Sequence, residues 1–460
     1  MRAGRRRTPL APDAPAADTI VALATAVGVS AVGVVRLSGP RAIAIASTIV
    51  HGRTLLEQQP SHTQRHVGIV DPVRGERLDD ALCSVMRAPH SYTGEDVVEL
   101  SCHGSPARLR LVVERLCAQG ARLATPGEFT RRAFLNGRLD LAQAEAVALL
   151  ISARTERAVR LAARGVAGEL GRALRGVRER LLDLVAGLEV ALDFPEDGVG
   201  IAPADAGIAV GALAAEVMTL RDRAHRGRIV HEGASVALVG APNAGKSSLL
   251  NALVGRERAI VSPTAGTTRD VIEATIDLGG IPIRLLDTAG IGAPRDAIEA
   301  EGMRRSQEAI DESDLLLVVV DGSRAPSCVV LEATEKRRRI LVRTKSDLPS
   351  DPSAALIHDA IDVSAVTGTG LDGLAQRISA AMASGTDAGG GDLVASLRQI
   401  EAIDTLHGAL VAAGRALGEA PIEVALVDFR DALANVSALL GLEVGDAVLD
   451  RIFAMFCLGK

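Results

Sequence analysis

The chain reads as a multidomain α/β protein: an N-terminal α+β domain, an α-helical domain in two pieces, and a doubly wound P-loop domain inserted between those pieces. Three observations predict this. Short β-rich runs mixed with one helix-length stretch fill residues 18–137. Long helical text follows in 138–230 and returns in 386–460. Between 231 and 385, short apolar runs alternate with helix-length intervals, the pattern of a parallel sheet. At 460 residues the chain exceeds one core, and length alone points to roughly three domains.

Composition bounds the class. Hydrophobic residues make up 48% and charged residues 23%, ordinary for a globular protein, while aromatics are 2%, so the cores rest on Leu, Val, Ile and Ala. No apolar run approaches the roughly 18 residues of a membrane span, so no membrane partner is expected. Five cysteines without a CxxC pair argue against a disulfide framework or a zinc site and for a reducing, cytoplasmic compartment. A net charge of −6 leaves any nucleic-acid partner to a local basic patch.

Taken in order, residues 1–17 are Arg- and Pro-rich and read as a disordered N-terminal extension; a transit peptide is the competing reading, weakened by Asp13 and the prolines. In 18–137, VGVVRLSG, ALCSVM and VVELSC are strand-like, and 106–118 is helix-like. In the first helical piece Leu170, Leu174, Val177, Leu181, Leu184, Leu188 and Leu192 recur at three- and four-residue steps, so they share a face, and Pro195 ends the element. The opposite face carries eight Arg against three Glu between 154 and 180, either a solvated face or a tRNA phosphate contact. A second helical run covers about 204–226. SVALVG, DVIEATID, IRLLD, LLLVVVD and RILVRT supply the strands of the inserted sheet, and the Gly-rich break at 385–391 ends it. Neither helical piece is large enough to close a bundle alone, so the two are expected to pack together.

The chemistry starts at GAPNAGKS, residues 240–247, which matches GxxxxGK(S/T) between a strand-like and a helix-like run. Gly240 and Gly245 let successive N–H groups turn toward phosphates, and the following helix N-terminus adds partial positive charge. Asn243, Ala244 and Ser248 belong to the same cradle. Lys246 reaches the β- and γ-phosphates, and the Ser247 hydroxyl binds Mg²⁺. Downstream, an apolar strand ends in Asp287-Thr288-Ala289-Gly290, bringing a carboxylate to the Mg²⁺ and the Gly290 N–H to the γ-phosphate. Thr268, in the GTTRD string between the two motifs, is the expected second hydroxyl ligand to Mg²⁺. Thr344-Lys345-Ser346-Asp347 selects the base: the Asp347 carboxylate accepts from both donors of guanine, a pairing adenine does not offer. Lys345 lies along the base plane, and Ser364-Ala365 offers a backbone N–H to guanine O6. The ordered set predicts a GTP/GDP site in a Ras-like G domain. Ile291 stands where many small GTPases carry a water-orienting Gln, so the barrier reduction must come from elsewhere.

From Asp18 to Lys460 the text resembles the MnmE (TrmE) family of tRNA modification GTPases. The resemblance is carried by DTIVALAT, VGVVRLSGP, SYTGEDVVELSCHG, PGEFTRRAFLNGRLDLAQAEAV, DFPED, GTTRD and the terminal IFAMFCLGK. It implies a tetrahydrofolate-binding, homodimerising N-terminal domain, a discontinuous helical domain and an inserted G domain. It further implies K⁺-dependent GTP hydrolysis coupled, with an FAD-dependent MnmG subunit, to carboxymethylaminomethyl or aminomethyl addition at C5 of the wobble uridine of certain tRNAs. The one-carbon donor would be 5-formyl-tetrahydrofolate or a related folate. By position, Asn243 with Ser262, Thr264 and Thr267 would hold K⁺, and Glu299 would position the attacking water; composition alone makes Glu299 a solvated helical residue. Cys457 matches a functional cysteine, although its Phe456 and Leu458 neighbours by themselves suggest a packed thiol. Arg36, Glu99 and Arg138 match the folate site.

This chain departs from the family pattern in several places. Val27 to Ala31 replace a Pro- and Gly-rich loop, Arg138 replaces Lys, Thr344 replaces Asn and Gln399 replaces His. The loss of the amide at 344 predicts looser loops and weaker nucleotide affinity. A regulatory GTPase switch without modification chemistry is the alternative reading.

Overall fold

The computed structural model describes every residue except 1–17, 53–54, 197–198, 258–272, 289–307, 309, 384–390, 458 and 460. The described residues form two compact units, one drawn from Met1–Ala148 and Leu440–Lys460, the other from Leu149–Leu439.

The first unit is built on a seven-stranded sheet. Its strands are β1 (Ile20–Leu23), β2 (Ser30–Ser38), β3 (Val50–His51), β4 (Thr63–Val70), β5 (Arg77–Met86), β6 (Val97–Gly104) and β7 (Arg122–Leu123), in the order β3-β4-β5-β6-β2-β1-β7. All neighbours are antiparallel except β1 and β7. The period of two decides the faces. Val35 and Leu37 of β2 enter a core shared with Val112 and Leu116 of the helix Pro106–Ala118, which forms with the bounds the sequence suggests. On the other face Ile20 and Ala22 pack with Ala124 and Phe129, the latter on the helix Glu128–Leu135. The helix Asp446–Ala454 docks against Glu128–Leu135, with the Phe134 and Phe453 ring centroids 6.5 Å apart. Gly127 permits that approach: its φ is +69° and an added Cβ would stand 2.5 Å from the Phe453 carbonyl.

In the second unit four long helices pack in a ring. Pro203–Glu232 lies against Leu397–Glu419, which meets Ile422–Leu439, which meets Glu169–Asp193, which returns to Pro203–Glu232. Leu170, Leu174, Val177, Leu181, Leu184 and Leu188 are the buried stripe of Glu169–Asp193, whereas Leu192 near its end is only half-buried. One expectation needs correction. Among the described helices, Pro203–Glu232 is long and apolar enough by length and composition to cross a membrane. Small residues raise its hydropathy without forming an obvious run, and in this fold Val210, Leu213, Val217 and Leu220 are buried.

That helix feeds straight into the second sheet. Gly233, at φ +88°, makes the joint where a Cβ would meet the Pro282 carbonyl at 2.2 Å. The strands β8 (Ala234–Gly240), β9 (Glu273–Leu278), β10 (Ile281–Asp287), β11 (Leu315–Asp321), β12 (Arg339–Thr344) and β13 (Ile361–Asp362) run in the order β13-β12-β11-β8-β10-β9. All pairs are parallel except β9 with β10. β8 is buried along its whole length, as a central parallel strand must be. The strand order reverses at β8, so its carboxyl end opens the crevice in which such sheets bind ligands.

Candidate nucleotide-binding site

At the carboxyl end of β8 the chain turns through residues 240–247 into the helix Lys246–Arg256. Gly240 is forced by packing, because a Cβ there would lie 2.4 Å from the Val319 carbonyl of β11. Asn243 at φ +60° and Gly245 at φ +95° take left-handed conformations that curl the loop. Asn243, Ser247 and Ser248 are exposed on the cradle, while Ala244 and Lys246 are buried. The Lys246 ammonium folds back over the loop, donating to the carbonyls of Gly240 at 3.2 Å and Ala241 at 3.1 Å. Burial pushes its pKa down and the Asp287 carboxylate opposes that shift, so an anion in the loop gains from supplying the missing charge.

The metal-binding chemistry lies one strand over. Ser247 Oγ donates to Asp287 Oδ2 at 2.6 Å, joining the first turn of the helix Lys246–Arg256 to the end of β10. Asp287 Oδ1 is buried and has no hydrogen-bond partner among the described residues. A hydroxyl, a carboxylate and an unsatisfied buried oxygen suit a hard cation, and one that keeps waters and phosphate oxygens needs few protein ligands. The buried Thr288 hydroxyl donates to the Leu238 carbonyl at 2.7 Å and fixes the chain just past the carboxylate.

The residues expected to select the base follow β12 and β13. Thr344 lacks the amide of the family pattern but keeps a hydroxyl, and this buried group joins the two loops, donating to the Ala244 carbonyl at 2.6 Å and lying 3.1 Å from that of Val320. Lys345, at φ +58°, reaches back to the Asn243 carbonyl at 3.2 Å. Asp347 is exposed and accepts from the buried Ser364 hydroxyl at 2.6 Å, and Ala365 follows half-buried. Thus Gly240, residues 243–248, Asp287, Thr344, Lys345, Asp347 and Ser364-Ala365 lie on segments linked to one another at the carboxyl ends of the parallel strands. Gly290, Glu299, Ser262, Thr264, Thr267 and Thr268 lie outside the described residues. The sequence reading missed Asp321, which ends β11 and holds Lys345. Its signal was the same as that of Asp287: an apolar strand closing on a carboxylate at its carboxyl end.

Comparison with known proteins gives the family. The family model described as "GTP-binding protein TrmE N-terminus" matches residues 19–138, and that of the MnmE helical domain matches residues 141–457. The chain belongs to the MnmE family of tRNA modification GTPases. MnmE of Koribacter versatilis is 41% identical over 453 residues, that of Moorella thermoacetica 43% over 461, and that of a Thermus thermophilus strain 45% over 454; each alignment covers 96% of this chain and 99% of the relative. Among solved structures, the G domain of the T. maritima FeoB iron transporter is 30% identical, covers 32% of this chain and 98% of its own, and has a TM-score of 0.25.

The other residues matched to the MnmE pattern lie in the first unit. Arg36 and Glu99 face each other across β2 and β6 and are ion-paired at 2.7 Å. The Arg36 guanidinium lies 5.9 Å from the Tyr92 ring centre and 5.6 Å from that of Phe129, and it donates to the Gly459 carbonyl at 3.2 Å. Arg138 is exposed and lies beside Gly94. Cys457 is exposed while Phe456 is buried, so the packing expected from its neighbours falls on the ring and not on the thiol. The replaced loop at 27–31 holds Val27 and Val29 out to solvent.

Proposed function

We propose that this chain is a Mg²⁺- and K⁺-dependent GTP hydrolase that works with an FAD-dependent MnmG subunit on C5 of the wobble uridine of certain tRNAs, adding an aminomethyl or carboxymethylaminomethyl group. One observation carries the nucleotide half: the Ser247–Asp287 pair, with its unsatisfied buried oxygen, stands at the loop of residues 240–247, and the Thr344–Ala244 and Lys345–Asn243 bonds bring the segment that carries Asp347 to the same loop. In this reading the loop N–H groups and Lys246 bind the phosphates, Asp347 accepts from guanine and Ser364-Ala365 faces its O6. Ser247, Asp287 and Thr268 would hold Mg²⁺, and Asn243, Ser262, Thr264 and Thr267 would hold K⁺. When bound, the two cations neutralise charge developing on the transferred phosphoryl group. Glu299 would hold the attacking water in line.

The modification half belongs to the first unit. Arg36, Glu99 and Arg138 would bind 5-formyl-tetrahydrofolate or a related folate, with the Tyr92 and Phe129 rings near Arg36 offering apolar surface for a flat pterin. Cys457 would act in the tRNA chemistry, and residues 18–137 would form a cytoplasmic homodimer. The functional division is then 18–137, the helical pieces 138–230 and 386–460, and the G domain 231–385.

GTP turnover measured in K⁺ against Na⁺, for the wild type and Glu299→Ala, tests the proposal. Stimulation by K⁺ that disappears in the variant is the expected result. Equal turnover in both salts, or ATP used as well as GTP, would overturn it.

A further inference from the structure

Asp321 ends β11 one strand away from the P-loop and opposite Thr344 of β12. Its carboxylate is 12% exposed and has two occupied oxygens. Oδ2 accepts from the Lys345 ammonium at 2.5 Å. Oδ1 accepts from the Ser323 N–H at 3.0 Å and the Ser323 hydroxyl at 2.6 Å. Burial pushes the Asp321 pKa up, but the Lys345 and Ser323 hydrogen bonds outweigh it and hold the carboxyl below its ordinary range. The ammonium on the other side is shared with the Asn243 carbonyl at 3.2 Å. Lys345 and Asn243 are both non-glycine residues at positive φ, at +58° and +60°. The ammonium is therefore held between two fixed acceptors, a P-loop carbonyl and a strand-end carboxylate.

A free lysine stem samples many rotamers, and fixing it costs up to about 2 kcal/mol of conformational entropy. Here Asp321 fixes it before any ligand arrives. We infer that Asp321 is a positioning residue for guanine-nucleotide retention: it holds Lys345 taut across the P-loop, so that the lysine stem forms a ready-made floor for the purine ring. The inference rests on the nucleotide site proposed above and adds a residue outside the strings Thr344 to Asp347 and Ser364-Ala365. Asp321 touches neither the base edge nor the phosphates. Its loss should weaken every purine nucleotide equally and leave the choice among bases unchanged, whereas loss of Asp347 should alter that choice.

The test is Asp321→Asn in the full-length chain. The substitution is isosteric and keeps an oxygen for the Ser323 N–H, but it removes the charge that holds the ammonium. Dissociation of a fluorescent N-methylanthraniloyl GDP, and of the inosine and xanthosine diphosphate analogues, is measured by stopped flow beside the thermal midpoint without nucleotide. The expected result is an off-rate raised about tenfold for all three, equivalent to about 1.4 kcal/mol, with an unchanged ranking and a nucleotide-free midpoint lowered by no more than a few degrees. Asp321→Glu, which keeps the charge, should recover part of the loss. Combining Asp321→Asn with Lys345→Met should add little to Lys345→Met alone, because the two act as one unit. Off-rates within twofold of wild type, a changed base ranking, or additive losses would overturn the inference. If Asp321→Asn fails to fold, the same off-rates in Asp321→Ser, which also removes the charge, decide: the wild-type value overturns the inference. Wild-type protein that binds no GDP would overturn the nucleotide site itself, a distinct outcome.

Discussion

Replacing Thr344 by Val isolates the bond that ties the base loop to the P-loop. The side chain is 3% exposed and nearly isosteric with Val, so the change removes one donor and little volume. The principal bond runs to the Ala244 carbonyl at 2.6 Å, and Ala244 is itself 2% exposed. A buried acceptor deprived of its donor costs about 1–3 kcal/mol. At about 1.4 kcal/mol per tenfold, that is roughly five- to 150-fold in an equilibrium constant. A nucleotide bridging the two loops would hold them in register, so the cost divides between affinity and stability. We expect the GDP off-rate to rise about tenfold and the thermal midpoint of the Leu149–Leu439 unit to fall by a few degrees. Thr344→Ser keeps the hydroxyl and should keep the wild-type off-rate. Fluorescent-nucleotide dissociation and calorimetry on the three proteins suffice. If Val and Ser gave the same off-rate, the hydroxyl would not be the tie and the reasoning would fail.

Two further outcomes follow from the first unit. Burial pushes the Glu128 carboxyl up, but hydrogen bonds from Arg122, the Thr125 N–H and Arg132 outweigh it and bring the pKa down from 4.5 to about 2. Because the folded value lies below the unfolded one, its stabilisation is complete above pH 4.5 and is lost as pH falls toward about 2. Glu128→Gln should flatten that part of a stability–pH curve measured by urea unfolding; an unchanged slope would contradict the assignment. Cys328 and Cys457 are exposed, whereas Cys83 and Cys102 are buried with thiols pushed up to about 12. A disulfide reagent at neutral pH should therefore label Cys457 promptly in a Cys328→Ser variant, with Cys83 and Cys102 silent until denaturant is added.

Local chemistry alone determined several features. The phosphate cradle could be read because a glycine at 240 and another at 245, set between an apolar run and a helix, act through backbone sterics over a few residues. The stripe from Leu170 to Leu188 was legible for the same reason, since a 3.6-residue period needs no partner to be seen. Tertiary structure decided who meets whom. The pairing of Thr344 with Ala244 spans 100 residues, that of Lys345 with Asp321 depends on β11 lying beside β12, and Gly459 meets Arg36 across 423 residues. The burial of Phe456 beside an exposed Cys457, and of one stripe of the helix Pro203–Glu232 against its neighbours, likewise followed from packing. Short-range sterics are written in neighbouring residues. The partner of a hydroxyl or a carboxylate is set by which strands and helices the core draws together, and one sequence without its fold does not carry that.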